Sequence, residues 1–288
     1  MMKPPHGIFN IHKPIGMSSH DVVNHVRRTF ATRRVGHAGT LDVEASGVLL
    51  VGINEGTKLL HYLQHASKHY AFGVTFGTET DTLDHTGKPL NSLPVNLPDW
   101  LDCEAFVGTY EQTPPAYSAV KVAGKKLYEY AREGKPIPEV PPRTLTVTAF
   151  TQNAPLKREK DMVQASFEVK ASSGLYVRKL ALDLAKHHGT LAHTHYIHRL
   201  AVGTFTIENA KSLDTLDAHD VIRLSEALPG FDDIYLDQLN PEDVAHGRAL
   251  EIPRMSDQIK VVNAAGDLFG LYYWTQDKYR PLRMFKGD

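Results

Sequence analysis

Apolar residues recur at helical spacing over 18–31, where Val22, Val23, Val26 and Phe30 form one stripe. Ser18 or Ser19 stands where a cap belongs, so the pattern predicts a helix that starts there. The segment 55–67, "EGTKLLHYLQHAS", reads as a second helix. The pattern then changes period. Over 69–77 Tyr70, Phe72, Val74 and Phe76 point one way while Ala71, Gly73, Thr75 and Gly77 point the other, which predicts a strand. A second strand is expected over 162–172. It runs through Ser173 and Gly174 into a helix over 175–188 that ends at Gly189. Val177, Leu180, Ala181 and Leu184 make the stripe of that helix, with Arg178 beside it in the first turn. Between about 111 and 143 prolines bracket a basic, tyrosine-containing helix, which reads as an excursion from the sheet. From about 231 onward short strands alternate with Gly- and Asp-containing turns, and a small C-terminal β domain is expected over 231–288.

Composition adds bounds to this picture. With 288 residues, 42% of them hydrophobic and 23% charged, the chain is long enough for one large domain, or one with a small companion. A single cysteine, Cys103, cannot staple a fold and fits a reducing compartment. The first residues lack an apolar signal core, and no apolar run is long enough to span a bilayer, so a cytoplasmic protein without membrane attachment is expected. The net charge of −1 is uninformative, but its distribution is not. Lys3, Lys13, Arg27, Arg28, Arg33 and Arg34 face only Asp21 over 1–40, and Lys121, Lys125, Lys126, Arg132, Lys135 and Arg143 form a second basic group. Segregation of this kind is either ordinary solvated surface or a positive face for nucleic acid.

Three polar residues stand out against the apolar frame. Asp42 follows a glycine-containing loop and precedes the apolar run "GVLLVG". It is either a turn aspartate bonding its own backbone or a carboxylate that faces a ligand. The loop does not end in the Gly-Lys-Ser/Thr of a phosphate-binding loop, and a carboxylate there would repel phosphate. Tyr70 is either core or a stacking platform. Arg178, in a first helical turn, meets the unfavourable end of the helix dipole, which favours a carboxylate partner. An aspartate paired with arginine stays ionised, and in a partly dry pocket it can attack or stabilise a sugar carbon. A rival centre is His193, His195 and His198, whose spacing could hold zinc, although no acidic residue accompanies them in the motif. "TETDTLDHTG" lacks the spacing and terminal Glu of a calcium loop.

The segment "GHAGTLDVEASGVLLVGINEGTKL" resembles the signature of TruB-type tRNA pseudouridine synthases. The resemblance extends in order over about residues 8–230. "FNIHKPIGMSSHDVV" is similar to the family's N-terminal motif and "HYAFGVTFGTETDTLDHTG" to its tyrosine strand. "PPAYSAVKVAGKKLYEYAREG" is similar to its RNA-clamping insertion, and "SSGLYVRKLALDLA" and "HRLAVGTF" to its later motifs. The resemblance implies an α+β pseudouridine-synthase fold, a mixed but largely antiparallel sheet flanked by helices. It places the catalytic domain over 1–230, with the insertion at 111–143, and a PUA-like RNA-binding domain over 231–288.

By the same resemblance Asp42 is the catalytic aspartate, Tyr70 stacks on the target base and Arg178 pairs with Asp42. Tyr176 and Ile197 line the uridine pocket, and His37 sits against the RNA loop where the flipped nucleotide leaves space. The basic residues Lys125 and Lys126 of the insertion contact RNA. The activity implied is isomerisation of uridine-55 in the T loop of tRNA by a monomer that binds the T arm and uses neither cofactor nor metal. A non-catalytic RNA-binding protein or RNA chaperone on the same scaffold is the alternative from another class. The chain departs from the family at Val43-Glu44, where Pro-Leu is usual, and at Ile197-His198-Arg199, where Leu-Arg-Arg is usual. Glu44 adds negative charge two residues from Asp42, and His198 removes a permanent positive charge.

Overall fold

A computed structural model describes residues 5–160 and 162–285 of the chain. Lys3, counted above in the first basic group, lies outside the described residues. The chain forms two compact units. One is built from the chain up to Val43, from Val48–Gln64 and from Thr204 onward; the other from Glu44–Gly47 and His65–Gly203.

In the first unit the predicted N-terminal helix forms over Ser19–Thr29. Ser18 is the cap: its hydroxyl accepts from the Asp21 N–H, and the Asp21 carboxylate takes the Ser18 N–H in return, a reciprocal capping box. Val22, Val23 and Val26 are buried against Phe9 and Ile11 of the Gly7–Lys13 strand and Leu49, Val51 and Ile53 of the Ala45–Ile53 strand. The Gly7–Lys13 strand pairs in parallel with Lys211–Ser212, and Val35–His37 pairs antiparallel with the end of Ala45–Ile53.

The expected helix over 55–67 is shorter and begins more tightly. A 3-10 turn, Asn54–Leu59, precedes one α-helical segment, Leu60–Gln64. A Cβ at Gly56 would lie 1.8 Å from the Gly7 carbonyl oxygen, so backbone meets backbone where the helical pattern starts. The small C-terminal β structure forms as expected. Its sheet orders Asp232–Tyr235, Gln258–Val262, Leu268–Trp274 and Tyr279–Met284, with one parallel and two antiparallel pairings. Ile259, Val261, Tyr272 and Tyr279 are its buried centre.

The second unit is a five-stranded antiparallel array, in the order Ala192–Val202, Lys68–Phe76, Met162–Ala171, Arg143–Gln152 and Gly108–Gln112. Tyr70, Phe72, Val74 and Phe76 are all buried, as the alternation predicted. Phe72 stacks on Phe150 and Phe167. The Val177–His187 helix buries Leu180, Ala181 and Leu184, and Gly189 beyond its end has a φ of +76°. The parallel element comes from Ala45–Gly47, which pairs with Ile197–Arg199. Gly47 has a φ of +111°, and a Cβ there would lie 2.2 Å from the Arg199 carbonyl oxygen. No helix among the described residues is long and apolar enough to cross a membrane.

Candidate active site

Asp42 is exposed in the loop between Val35–His37 and Ala45–Ile53, and the residues on either side of it are fixed by their backbones. The buried Ser19 hydroxyl accepts from the Leu41 N–H at 2.9 Å and donates to the Leu41 carbonyl at 3.2 Å. On the other side the Val43 carbonyl accepts from the Gly16 N–H at 2.9 Å and from Lys13 Nζ at 3.4 Å. Lys13 is fully buried and also donates to the carbonyls of Pro14 and Met17. An acidic side chain is thus presented by a loop whose neighbouring peptides are already bonded. Its placement costs little reorganisation when a ligand arrives. The serine doublet divides its work, since Ser18 caps the helix and Ser19 holds the Asp42 loop. His37 is half-buried at the end of Val35–His37, with Val51 as its cross-strand partner.

In the second unit Tyr70 and Ile197 lie on neighbouring strands. Ile197 is opposite Phe72 and Arg199 is opposite Tyr70, so these residues share one face. Tyr70 is 8% exposed and Ile197 9%, while Arg199 is buried. The buried Arg199 next to Tyr70 was not singled out as a site residue from the sequence.

Tyr176 is the residue at which the Val177–His187 helix starts, and Arg178 lies in its first turn. Arg178 is 5% exposed rather than solvated. Its guanidinium donates to the Thr82 carbonyl at 2.5 Å and to the Tyr117 carbonyl at 2.9 Å, with an Asp84 carboxylate oxygen 4.0 Å away. Thr82 and Asp84 belong to the "TETDTLDHTG" turn. Within the turn Asp84 accepts from the Thr86 N–H and the hydroxyls of Thr82 and Thr86, and Asp81 accepts from the Lys88 N–H; Asp81 also accepts from the Tyr117 hydroxyl at 3.4 Å. The same turn grips the strand that carries Ile197, because Leu83 and His85 bond the backbone of Thr194. One loop therefore fixes both Arg178 and the Ile197 strand. Burial, followed by the charge of Asp81, pushes the Tyr117 phenol above its ordinary range.

The basic insertion has the expected helix, Leu127–Arg132, preceded by a hairpin of Lys121–Val122 and Lys125–Lys126. Ala123 and Gly124 both have positive φ, as a two-residue hairpin turn demands. Lys125 lies 4.9 Å from the Tyr130 ring centre, and Lys126 and Arg132 lie over Tyr128. Glu133 bridges Lys125 at 2.5 Å and Lys135 at 2.7 Å. Bonds from these two lysines lower the Glu133 carboxyl to about 2.

The three histidines of the rival centre take separate partners. His193 Nδ1 is 2.9 Å from the Thr78 carbonyl, His195 Nδ1 3.1 Å from the Thr75 hydroxyl and His198 Nδ1 2.7 Å from the Ser46 hydroxyl. Among the described residues no group of three or more His, Cys, Asp or Glu side chains has metal-holding geometry.

A model of the TruB family pseudouridylate synthase N-terminal domain matches residues 27–177. The tRNA pseudouridine synthase B of Bacillus licheniformis is 36% identical over 286 residues, covering 93% of this chain and 92% of that protein. That of Caldanaerobacter subterraneus is 35% identical, covering 97% of this chain and 99% of its own. Among solved structures, a chain of a Cbf5-Nop10-Gar1 complex superposes with a TM-score of 0.67 at 21% identity, covering 99% of this chain and 86% of that one, and so shares the fold.

Proposed function

Because the chain belongs to the TruB family of pseudouridylate synthases, we propose that it converts uridine-55 in the T loop of tRNA to pseudouridine. The observation that carries this reading is Asp42. It is an exposed carboxylate inside the family's signature segment, on a loop pinned on one side by Ser19 and on the other by Lys13 and Gly16. The tRNA substrate rests on the names of the relatives, each a tRNA pseudouridine synthase B.

The reaction breaks the N1–C1′ bond, turns the uracil and joins C5 to C1′. The C5 hydrogen leaves as a proton and N1 gains one. Uracil is both leaving group and returning nucleophile, so the atoms balance without water, metal or redox cofactor. The base must first swing out of the folded loop, at a cost of about a few kcal/mol. Stacking on Tyr70 returns roughly 1–3 kcal/mol. Asp42 then acts at the ribose, where attack at C1′ and removal of the 2′ proton are both open to it. Arg178 is its ionic partner, Tyr176 and Ile197 enclose the uracil, and His37 occupies the gap left in the RNA loop. Tyr70 is our candidate for removing the C5 proton.

In this reading residues 1–230 carry catalysis, the basic insertion at 111–143 engages the T arm through Lys125 and Lys126, and 231–288 is a PUA-like RNA-binding module. The deciding experiment incubates the purified protein with unmodified tRNA tritiated at uracil C5, in chelator and without nucleotide. Tritium release equal to the amount of position-55 uridine is expected. No release, or release from other uridines only, would overturn the assignment.

A further inference from the structure

Gln112 ends the Gly108–Gln112 strand and is 2% exposed. Its side-chain oxygen accepts from the Tyr176 N–H at 2.8 Å, and its Nε2 donates to the Tyr176 carbonyl at 3.1 Å. Both peptide groups of one residue are therefore held by one side chain from 64 positions away. A carboxamide offers an acceptor and a donor side by side at any pH; an ionised carboxylate accepts but cannot donate.

The held residue stands where the Val177–His187 helix starts. Tyr176 has an extended backbone, φ −98° and ψ 101°, and no side-chain cap bond. Its carbonyl also accepts the first helical bond, from the Leu180 N–H at 3.0 Å. The chain reaches it through Gly174 at φ +103°, a conformation that glycine adopts without strain. The amide has one orientation. Nε2 faces the Tyr110 oxygen at 3.4 Å, and the Tyr110 hydroxyl is committed to Asp183 at 2.5 Å. Burial and that bond hold the Tyr110 phenol well above its ordinary range, so its oxygen can only accept from Gln112. Asp183 is in turn bonded to Lys179. Beyond Gln112 the chain enters the basic insertion, and Tyr117 takes its own bond from Arg178.

We infer that Gln112 is a positioning residue for pseudouridine formation: it fixes the Tyr176 peptide, and with it the placement of the Tyr176 ring against the uracil. This inference rests on the reading that Tyr176 lines the uridine pocket. A misplacement of about 1 Å in a reacting assembly can cost roughly 100-fold in rate, and loss of two backbone bonds allows a displacement of that order. A control comes from Gln152, which also bridges backbone groups in this unit from a half-buried position. It accepts from the Leu101 N–H and donates to the carbonyls of Asp99 and Ala154.

The test uses the full chain and unmodified tRNA, with single-turnover rate, tRNA Kd and thermal midpoint measured for Gln112→Met, Gln112→Glu, Gln152→Met and Tyr176→Ala. The expected result for Gln112→Met is a rate lowered about 10- to 100-fold with Kd within about threefold of wild type. Gln152→Met, at a half-buried position, should keep the wild-type rate. In Gln112→Glu the deficit should shrink as pH falls and the carboxyl gains the proton it needs to donate. Equal rates for Gln112→Met and Gln152→Met would overturn the inference. If Tyr176→Ala slows the reaction and neither Gln112 variant does, the positioning role alone fails. If Tyr176→Ala also keeps the wild-type rate, the pocket reading beneath it fails as well.

Discussion

Arg178 donates to the backbone carbonyl of Tyr117 at 2.9 Å, so the first turn of the Val177–His187 helix is bonded to the base of the basic insertion. The other end of the same guanidinium reaches Thr82, and both acceptors are peptide oxygens. A planar fork suits this geometry, since two donors diverge from one rigid group to two fixed points. The cation we propose as the partner of Asp42 is thereby held to the Thr82 turn and to the insertion.

Arg178→Lys follows from that fork. A single ammonium keeps the charge but cannot reach both carbonyls in one geometry. The expected outcome is a single-turnover rate down by about 100-fold or more, on the scale set by misplacing a reacting group, with a folded protein. Rate and thermal unfolding measured together check it. A rate within about twofold of wild type would show that charge alone suffices.

Asp42→Asn removes one charge and almost no volume. With Leu41 and Val43 held by backbone bonds, the loop should keep its shape. Tritium release from C5 should fall below detection while tRNA Kd changes by no more than about threefold, less than 1 kcal/mol. Appreciable turnover by this variant would remove the carboxylate from the mechanism.

Lys125 and Lys126 should each meet a phosphate. Replacing both with Gln is expected to weaken tRNA binding and to reduce the slope of log K against log salt by about 1–2. Glu133 occupies Lys125 and Lys135 in the free protein, so Glu133→Gln should have the opposite sign and tighten binding at low salt by about two- to threefold, the scale of an exposed ion pair. Filter binding across a salt series reads both effects. An unchanged slope in the double lysine variant would place this helix away from the RNA.

Lys68 supplies a pH test that does not depend on RNA. Burial, with the nearby Arg199 charge second, lowers its ammonium to about 8 from 10.5. A lysine whose folded value is depressed penalises the fold when charged. The penalty is complete below about 8, and stability recovers as pH rises from 8 towards 10.5, where the unfolded chain binds more protons than the folded one. Relative to Lys68→Met, the wild-type protein should therefore gain stability, by about 3 kcal/mol, between pH 7.5 and pH 10.5. Denaturant unfolding at several pH values checks the difference. Parallel curves for the two proteins would mean that Lys68 titrates normally.

Much of the architecture could be read from local pattern. The Ser19–Thr29 helix, the Lys68–Phe76 strand and the helix ending before Gly189 lie where the spacing placed them. The 55–67 segment differed because the approach of Gly56 to Gly7 is a contact between distant backbones, invisible to a helical stripe. Arg178 stood out by its position in a first turn, but its burial and its bonds to Thr82 and Tyr117 did not. Gln112 carried no signal, being an ordinary polar residue in a strand, and Ser19 stood out only as a possible helix cap, a place that Ser18 takes.

The sequence alone determined the periodic elements, the order of motifs and the family, because side-chain spacing and turn residues act between near neighbours. Tertiary structure decided which polar groups hold the candidate site residues. Ser19 meets Leu41 across 22 positions, Gln112 meets Tyr176 across 64, and Arg178 meets Thr82 across 96. A hydrogen bond depends on the distance and angle between two atoms. Those are set only when whole elements pack, and a one-dimensional pattern of apolar and polar residues does not contain them.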